Sequence, residues 1–297
     1  MAAWAACVGL LGASGAWAAE GAATEYVGGF MGFAAGYIPE DPGLYLANDL
    51  YYYHGSASVA PAGGRVAAEV STDMYLDTLT ATVMTRHRFL GGDFGYGLAL
   101  TLGHLDMSAA VNPLGLKSSA DTFGLGDLIV TPAVLGWHSG DWHSSLAVSL
   151  YAPTGQYDQN QAVNLSMHYW AIDTAYSGSY LTPGGLDLSA SLGYTINFEN
   201  PTSHYRSGDV LHLDVALGHN LSEALKIGLL GYAVVQVTDD GGSGAVLGPF
   251  RSNIYALGPG VNYATKALDL QLRWYHELGA RHHLEGDAVY LSAAFTL

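Results

Sequence analysis

The chain has 297 residues, a net charge of −16 with only 10 basic residues, and a charged share of 12%, roughly half the usual figure of about 25%. Nucleic-acid binding rests on neutralising phosphates with Lys and Arg, and so few basic residues exclude it. Past the apolar N-terminus no run reaches the roughly 18 residues that a spanning helix needs. With 39 glycines and 20 tyrosines, the composition fits strands with one lipid face and one wet face.

Residues 5–18 are small and apolar, and Ala16-Trp17-Ala18 forms an A-x-A cleavage site, so residues 1–18 read as a signal peptide. No Lys or Arg precedes the run, which departs from the usual pattern. Cys7, the single cysteine, falls in the removed part, leaving a mature chain that cannot form a disulfide. Residues 19–42 are rich in glycine without periodicity. They are expected to form an irregular segment on the periplasmic side or folded into the barrel end. From 43 to 297 the pattern predicts a single antiparallel transmembrane β-barrel of the bacterial outer-membrane type.

The first strand is expected over 44–54. Thereafter connections alternate in length. Short ones fall at Gly91-Gly92, Ser139-Gly140-Asp141, Thr182-Pro183-Gly184-Gly185, Asn220-Leu221-Ser222 and Thr265-Lys266. Longer ones fall near 55–68, 107–121, 154–166, 200–208, 239–250 and 280–287. This spacing predicts twelve strands, an all-β fold with both termini on the short-turn, periplasmic side.

Within the strands the period is two. Leu186, Leu188, Ala190, Leu192, Tyr194, Ile196 and Phe198 oppose Asp187, Ser189, Ser191, Thr195, Asn197 and Glu199. Leu211, Leu213, Val215 and Leu217 oppose His212 and Asp214, and Leu270, Leu272 and Trp274 oppose Asp269, Gln271 and Arg273. Charge at the lipid midplane costs roughly 2–4 kcal/mol, so the polar set must face the lumen. Pro132 interrupts the ladder of the strand at 128–137. The last strand carries Val289, Leu291, Ala293, Phe295 and Leu297 on one face. Trp137, Trp142, Tyr180, Tyr263 and Trp274 sit near strand ends, as girdle anchors do.

For chemistry, His138-Ser139 and His143-Ser144 place a base beside a hydroxyl. Both lie at a short turn, and sequence proximity is not a positioned base; the chain reads as a non-enzyme without catalytic residues. His282, His283, Glu285 and Asp287 crowd one loop, but their spacing matches no defined metal site, and a solvated loop is the plainer reading. No metal or cofactor is implied. The stronger candidates line the lumen. Arg86, Arg88 and Arg273 are expected to point inward with Asp187, Asp214 and Asp269, setting a field that orients solutes. Leu230 and Tyr232 would hold an apolar solute. The plainer alternative is a plug of paired charges and tyrosines, and a twelve-stranded interior leaves a narrow channel unless the N-terminal segment fills it.

Two stretches carry a resemblance. YVGGFMGFAAGYIPEDPGLYLANDLYYY, at 26–53, and FGLGDLIVTPAVLGWHSGDWHSSLAVSLYAPTGQYD, at 123–158, resemble the phenol meta-pathway outer-membrane family, the second through Gly124, Gly126, Asp127, Pro132, Gly136, Trp137, Tyr151, Pro153, Thr154 and Gly155. The resemblance implies an outer-membrane barrel, found with aromatic-degradation functions, that passes hydrophobic substrates; taken with the strand pattern, the chain reads as a passive channel for small hydrophobic or aromatic molecules. Its partners would be outer-membrane lipid, lipopolysaccharide and the solute. The competing class is a closed structural or surface-interaction barrel, which conductance would separate from a channel.

Overall fold

A computed structural model describes residues 24–59, 67–112, 115–246 and 248–296. The expected signal peptide at 1–18 lies outside the described residues. The alternating stretches form strands β1 (Gly43–Val59), β2 (Ala67–Phe89), β3 (Gly92–Asn112), β4 (Leu116–Leu125), β5 (Leu128–Ser139) and β6 (Trp142–Ala152). They continue as β7 (Ala171–Leu181), β8 (Leu186–Asn197), β9 (Val210–Asn220), β10 (Leu225–Gln236), β11 (Asn253–Ala264), β12 (Asp269–Arg281) and β13 (Glu285–Thr296). Every pairing is antiparallel, β1 pairs with β13, and β2 pairs with β3, so the sheet closes on itself. Closure spares the ring an open edge that lipid could not satisfy, while β4 is laddered, among the described residues, on one side only, to β3.

Two of the thirteen segments share one place in the wall, which makes twelve positions. β4 runs beside 102–111 of β3, and β5 continues beside 93–99 of the same strand. The break at Gly126-Asp127 is stitched: Asp127 accepts from Gly155 N at 2.9 Å, Ser166 Oγ at 2.7 Å and Met167 N at 3.1 Å. At Pro132 the ladders to β3 and β6 both shift register, as a residue without an N–H requires.

The faces sort as the lipid cost demands. Leu188, Leu192 and Leu217 are 44–52% exposed on the outside, whereas Asp187, Ser191 and Asp214 are at most 2% exposed within. All five short turns form where expected. The long connections at 153–170, 198–209 and 237–252 form as well. Four expectations need correction. In the loops expected near 55–68 and 107–121, residues 55–59, 67–68, 107–112 and 116–121 are ladder, because β1–β2 and β3–β4 continue as hairpins to Val59 and from Ala67, and to Asn112 and from Leu116. Their outward faces turn polar there, with His54 bonded to Asp73 at 2.9 Å and Ser71 to Ser108 at 2.8 Å, so pairing persists in water. The connection near 280–287 is only 282–284, and the first strand is 43–59 rather than 44–54.

Candidate functional site in the barrel lumen

The N-terminal segment decides what the interior is. Residues 24–42 carry no strand, and from Tyr26 to Gly36 they run inside the barrel, bonded to wall residues, rather than beneath its rim. Without periodicity the segment cannot join the ladder, so its backbone amides need other acceptors. Wall carboxylates and hydroxyls supply them. Asp214 on β9 accepts from Gly29 N at 2.9 Å, from Met31 N at 3.3 Å and from the Tyr26 hydroxyl. Asp187 on β8 accepts from Ala34 N at 3.1 Å and from Lys226 Nζ at 2.5 Å. Ser179 Oγ accepts from Gly36 N at 2.8 Å, and Gln271 Oε1 from Phe33 N at 3.2 Å.

Arg273 holds the carbonyl side. Its Nη1 donates to Gly29 O at 2.9 Å and Phe30 O at 2.8 Å, and its Nη2 to Ser292 Oγ at 2.6 Å. Asp49 sits 3.8 Å from the same guanidinium, whose carbon lies 4.7 Å from the Tyr290 ring centre. A planar fork with five donors suits this mixture of carbonyls and carboxylate. Gly29 has φ of 80°, and a side chain there would also press on Tyr275 and Tyr232. The turn thus needs glycine for conformation and for space.

Tyrosines fill the other side. Tyr51, Tyr53, Tyr232, Tyr275 and Tyr290 are buried with Leu230, Val234 and Phe33 in one cluster. Glu277, 3% exposed, accepts from Tyr53 at 2.7 Å, Tyr232 at 2.6 Å and Gly286 N at 2.9 Å. Tyr232 meets Tyr275 edge-on at 5.2 Å, a favoured aromatic geometry.

On the adjoining strands β7, β8 and β9, Asp173, Thr195 and His212 form a polar set. His212 Nε2 pairs with Asp173 at 2.9 Å, and Thr195 Oγ1 donates to the same carboxylate oxygen at 2.9 Å. The imidazole lies flat over Gly193, where any Cβ would collide with the ring. On its other face stacks Tyr26, with ring centres 3.5 Å apart and planes 17° apart. Burial, then the Asp214 carboxylate, pushes the Tyr26 hydroxyl well above its ordinary pKa, so it stays a protonated donor.

Four of the expected site residues, Asp214, Leu230, Tyr232 and Arg273, are buried in this interior. The other two are not. Arg86 and Arg88 lie at the exposed end of β2, where Arg88 pairs with Asp93 at 3.1 Å and donates to Gly91 O at 2.8 Å. A register shift between Met84 and Arg88 takes this end out of strict alternation, which is why counting by twos misplaced them. His138 and His143 bond to each other through Nδ1 atoms 2.7 Å apart. In the loop near His282, His282 Nδ1 lies 3.1 Å from Arg251 O and His283 Nδ1 lies 2.6 Å from Leu284 O, while Asp287 pairs with His276. Asp173, Lys226 and Glu277 went unnamed as site residues although alternation puts them on the lumen face; Tyr26 had no periodic signal at all.

Known proteins place this barrel. The crystal structure of the COG4313 outer membrane channel from Pseudomonas putida F1 superposes with a TM-score of 0.65 at 16% identity, over 92% of this chain and 100% of that one. The translocator domain of autotransporter NalP from Neisseria meningitidis scores 0.45 at 13% identity, over 86% and 89% of the two chains. A deletion mutant of TodX, named as a monoaromatic hydrocarbon channel, scores 0.44 at 10% identity, over 86% and 90%. No curated protein sequence matches the chain. The first of these likenesses shows the fold, that of a bacterial outer-membrane barrel. A family model described as "Putative MetA-pathway of phenol degradation" matches residues 48–293, and the chain belongs to that family.

Proposed function

We propose that this protein is a passive outer-membrane channel for small hydrophobic or aromatic molecules. The observation that carries the reading is an interior faced with tyrosines and obstructed by a segment that belongs to no strand. A segment held by side-chain hydrogen bonds can leave without unzipping the wall, since every wall pairing is strand to strand. Arg273 and Asp214 hold that segment, while Leu230 and Tyr232 present the surface an apolar solute would meet. No catalytic step is assigned, because the two histidines beside serines engage each other. The outer leucine belt meets lipid, and lipopolysaccharide is the partner expected around the polar ends of the extracellular hairpins.

The test is uptake of labelled small aromatics at limiting concentration, in cells lacking the gene and cells carrying it back. Faster uptake with the gene supports the channel. Equal uptake across a broad panel, with the protein folded in the outer membrane, overturns it. A closed structural barrel is the second reading, favoured by how fully the segment's amides are satisfied inside the lumen.

A further inference from the structure

One of the residues that seat the N-terminal segment is itself a phenol. Tyr26 is 8% exposed, stacks its ring on His212, and donates a hydrogen bond from its hydroxyl to the buried carboxylate of Asp214. A flat partner for the ring and a charged acceptor for the hydroxyl are the two elements a site for a neutral phenol requires. Both belong to the wall, on the single strand β9, two residues apart. Asp173 fixes the imidazole, and Gly193 lets it lie flat. The pocket is thus formed by the barrel, and Tyr26 only occupies it.

The geometry points to a phenol-binding site on His212 and Asp214, for which Tyr26 is the built-in occupant and a free phenolic solute the competitor. This deepens the channel reading and rests on it for its role in transport. Phenol entering the seat takes away one of three donors that the segment gives to Asp214 and removes its stacked anchor. The arriving solute therefore loosens the obstruction in its own path. A benzoate would bring a second negative charge against Asp214, and benzene offers no donor, so both are poor competitors.

Tethering makes Tyr26 a strong rival. A group held on a short chain acts at an effective concentration in the millimolar range. The site is thus best revealed by vacating it. Purified full-length protein carrying Tyr26→Ala is titrated calorimetrically with phenol, benzene and benzoate in detergent. A charge-assisted hydrogen bond corresponds to roughly tenfold or more in affinity. Phenol is expected to bind saturably, roughly tenfold or more tighter than benzene, and tighter than to the unaltered protein. Adding Asp214→Ala, which leaves no acceptor, should erase the preference for phenol over benzene.

Tyr26 lies outside every strand, so its replacement spares the wall pairing. Tyr26→Phe provides a milder second variant, keeping the stacked ring without the hydroxyl. Phenol should bind it more tightly than the unaltered protein and less tightly than Tyr26→Ala. Absence of saturable binding to Tyr26→Ala, equal affinity for benzene, or a preference that survives Asp214→Ala overturns the site. The two readings fail separately. Binding without gene-dependent uptake leaves the site and removes the channel, whereas uptake without binding does the reverse.

Discussion

Two buried carboxylates in this lumen each gather three donors, yet they do different work. Glu277 joins wall to wall: Tyr53 on β1, Tyr232 on β10 and Gly286 on β13 all donate to it. Asp214 joins wall to guest, since Tyr26, Gly29 and Met31 all belong to the N-terminal segment. The first arrangement is satisfied whatever the segment does. The second is satisfied only while the segment stays, and its loss leaves a bare charge facing the lumen. The same chemical group is thus a rivet in one place and a latch in the other.

Substitution at the two sites should pull this contrast apart. Glu277→Ala strands two buried hydroxyls and one amide, and should destabilise the barrel by about 3 kcal/mol or more. The readout is a lower midpoint in urea unfolding followed by heat-modifiable gel mobility. Asp214→Asn should leave that midpoint close to the unaltered value while exposing the segment to added protease. A fall in midpoint as large as that of Glu277→Ala would erase the distinction.

The latch should also respond to pH. Glu25 Oε1 has no hydrogen-bond partner among the described residues. Burial, and then the Asp127 charge, hold its carboxyl well above the ordinary range. The seated form therefore binds this proton more readily than the released form. Its seat is firmest in acid and weakens as pH climbs from about 4, the ordinary glutamate value, through the raised one. Glu25→Gln should slow proteolysis of the segment at neutral pH and flatten its pH dependence. A variant cut as fast as the unaltered protein would show that Glu25 does not strain the seat.

The smallest effect belongs at the rim. Arg88 is 64% exposed in its ion pair with Asp93, and exposed pairs contribute little. Arg88→Ala should change neither the unfolding midpoint nor aromatic uptake. A clear fall in uptake would put the rim, and not the interior, in charge of entry.

The strands were legible because lipid imposes a strict rule on them. Leu211, Leu213 and Leu217 alternate with His212 and Asp214 since a carboxylate facing the bilayer is costly, and that rule places Asp214 and Arg273 inward without further information. It fails where lipid stops. β1 to β4 run on into water, where serine and aspartate pairs sustain a ladder that reads as loop. Arg86 and Arg88 were misplaced at an irregular, exposed strand end for the same reason. The seat of Tyr26 was illegible on different grounds. Its segment has no period, and its partners are fixed only once distant strands stand side by side.

That distance bears on how the molecule is put together. The segment's anchors lie from 143 residues onward, at Ser179, to 262 residues onward, at Tyr290. What is made first is thus docked last, because its sockets include residues of β12 and β13. The strand that follows the segment, β1, closes the seam with β13. Contacts so remote in sequence form late, after loop closure has been overcome. Seating the segment therefore reports a finished wall, and a truncated or misregistered barrel would be left with its passage unguarded.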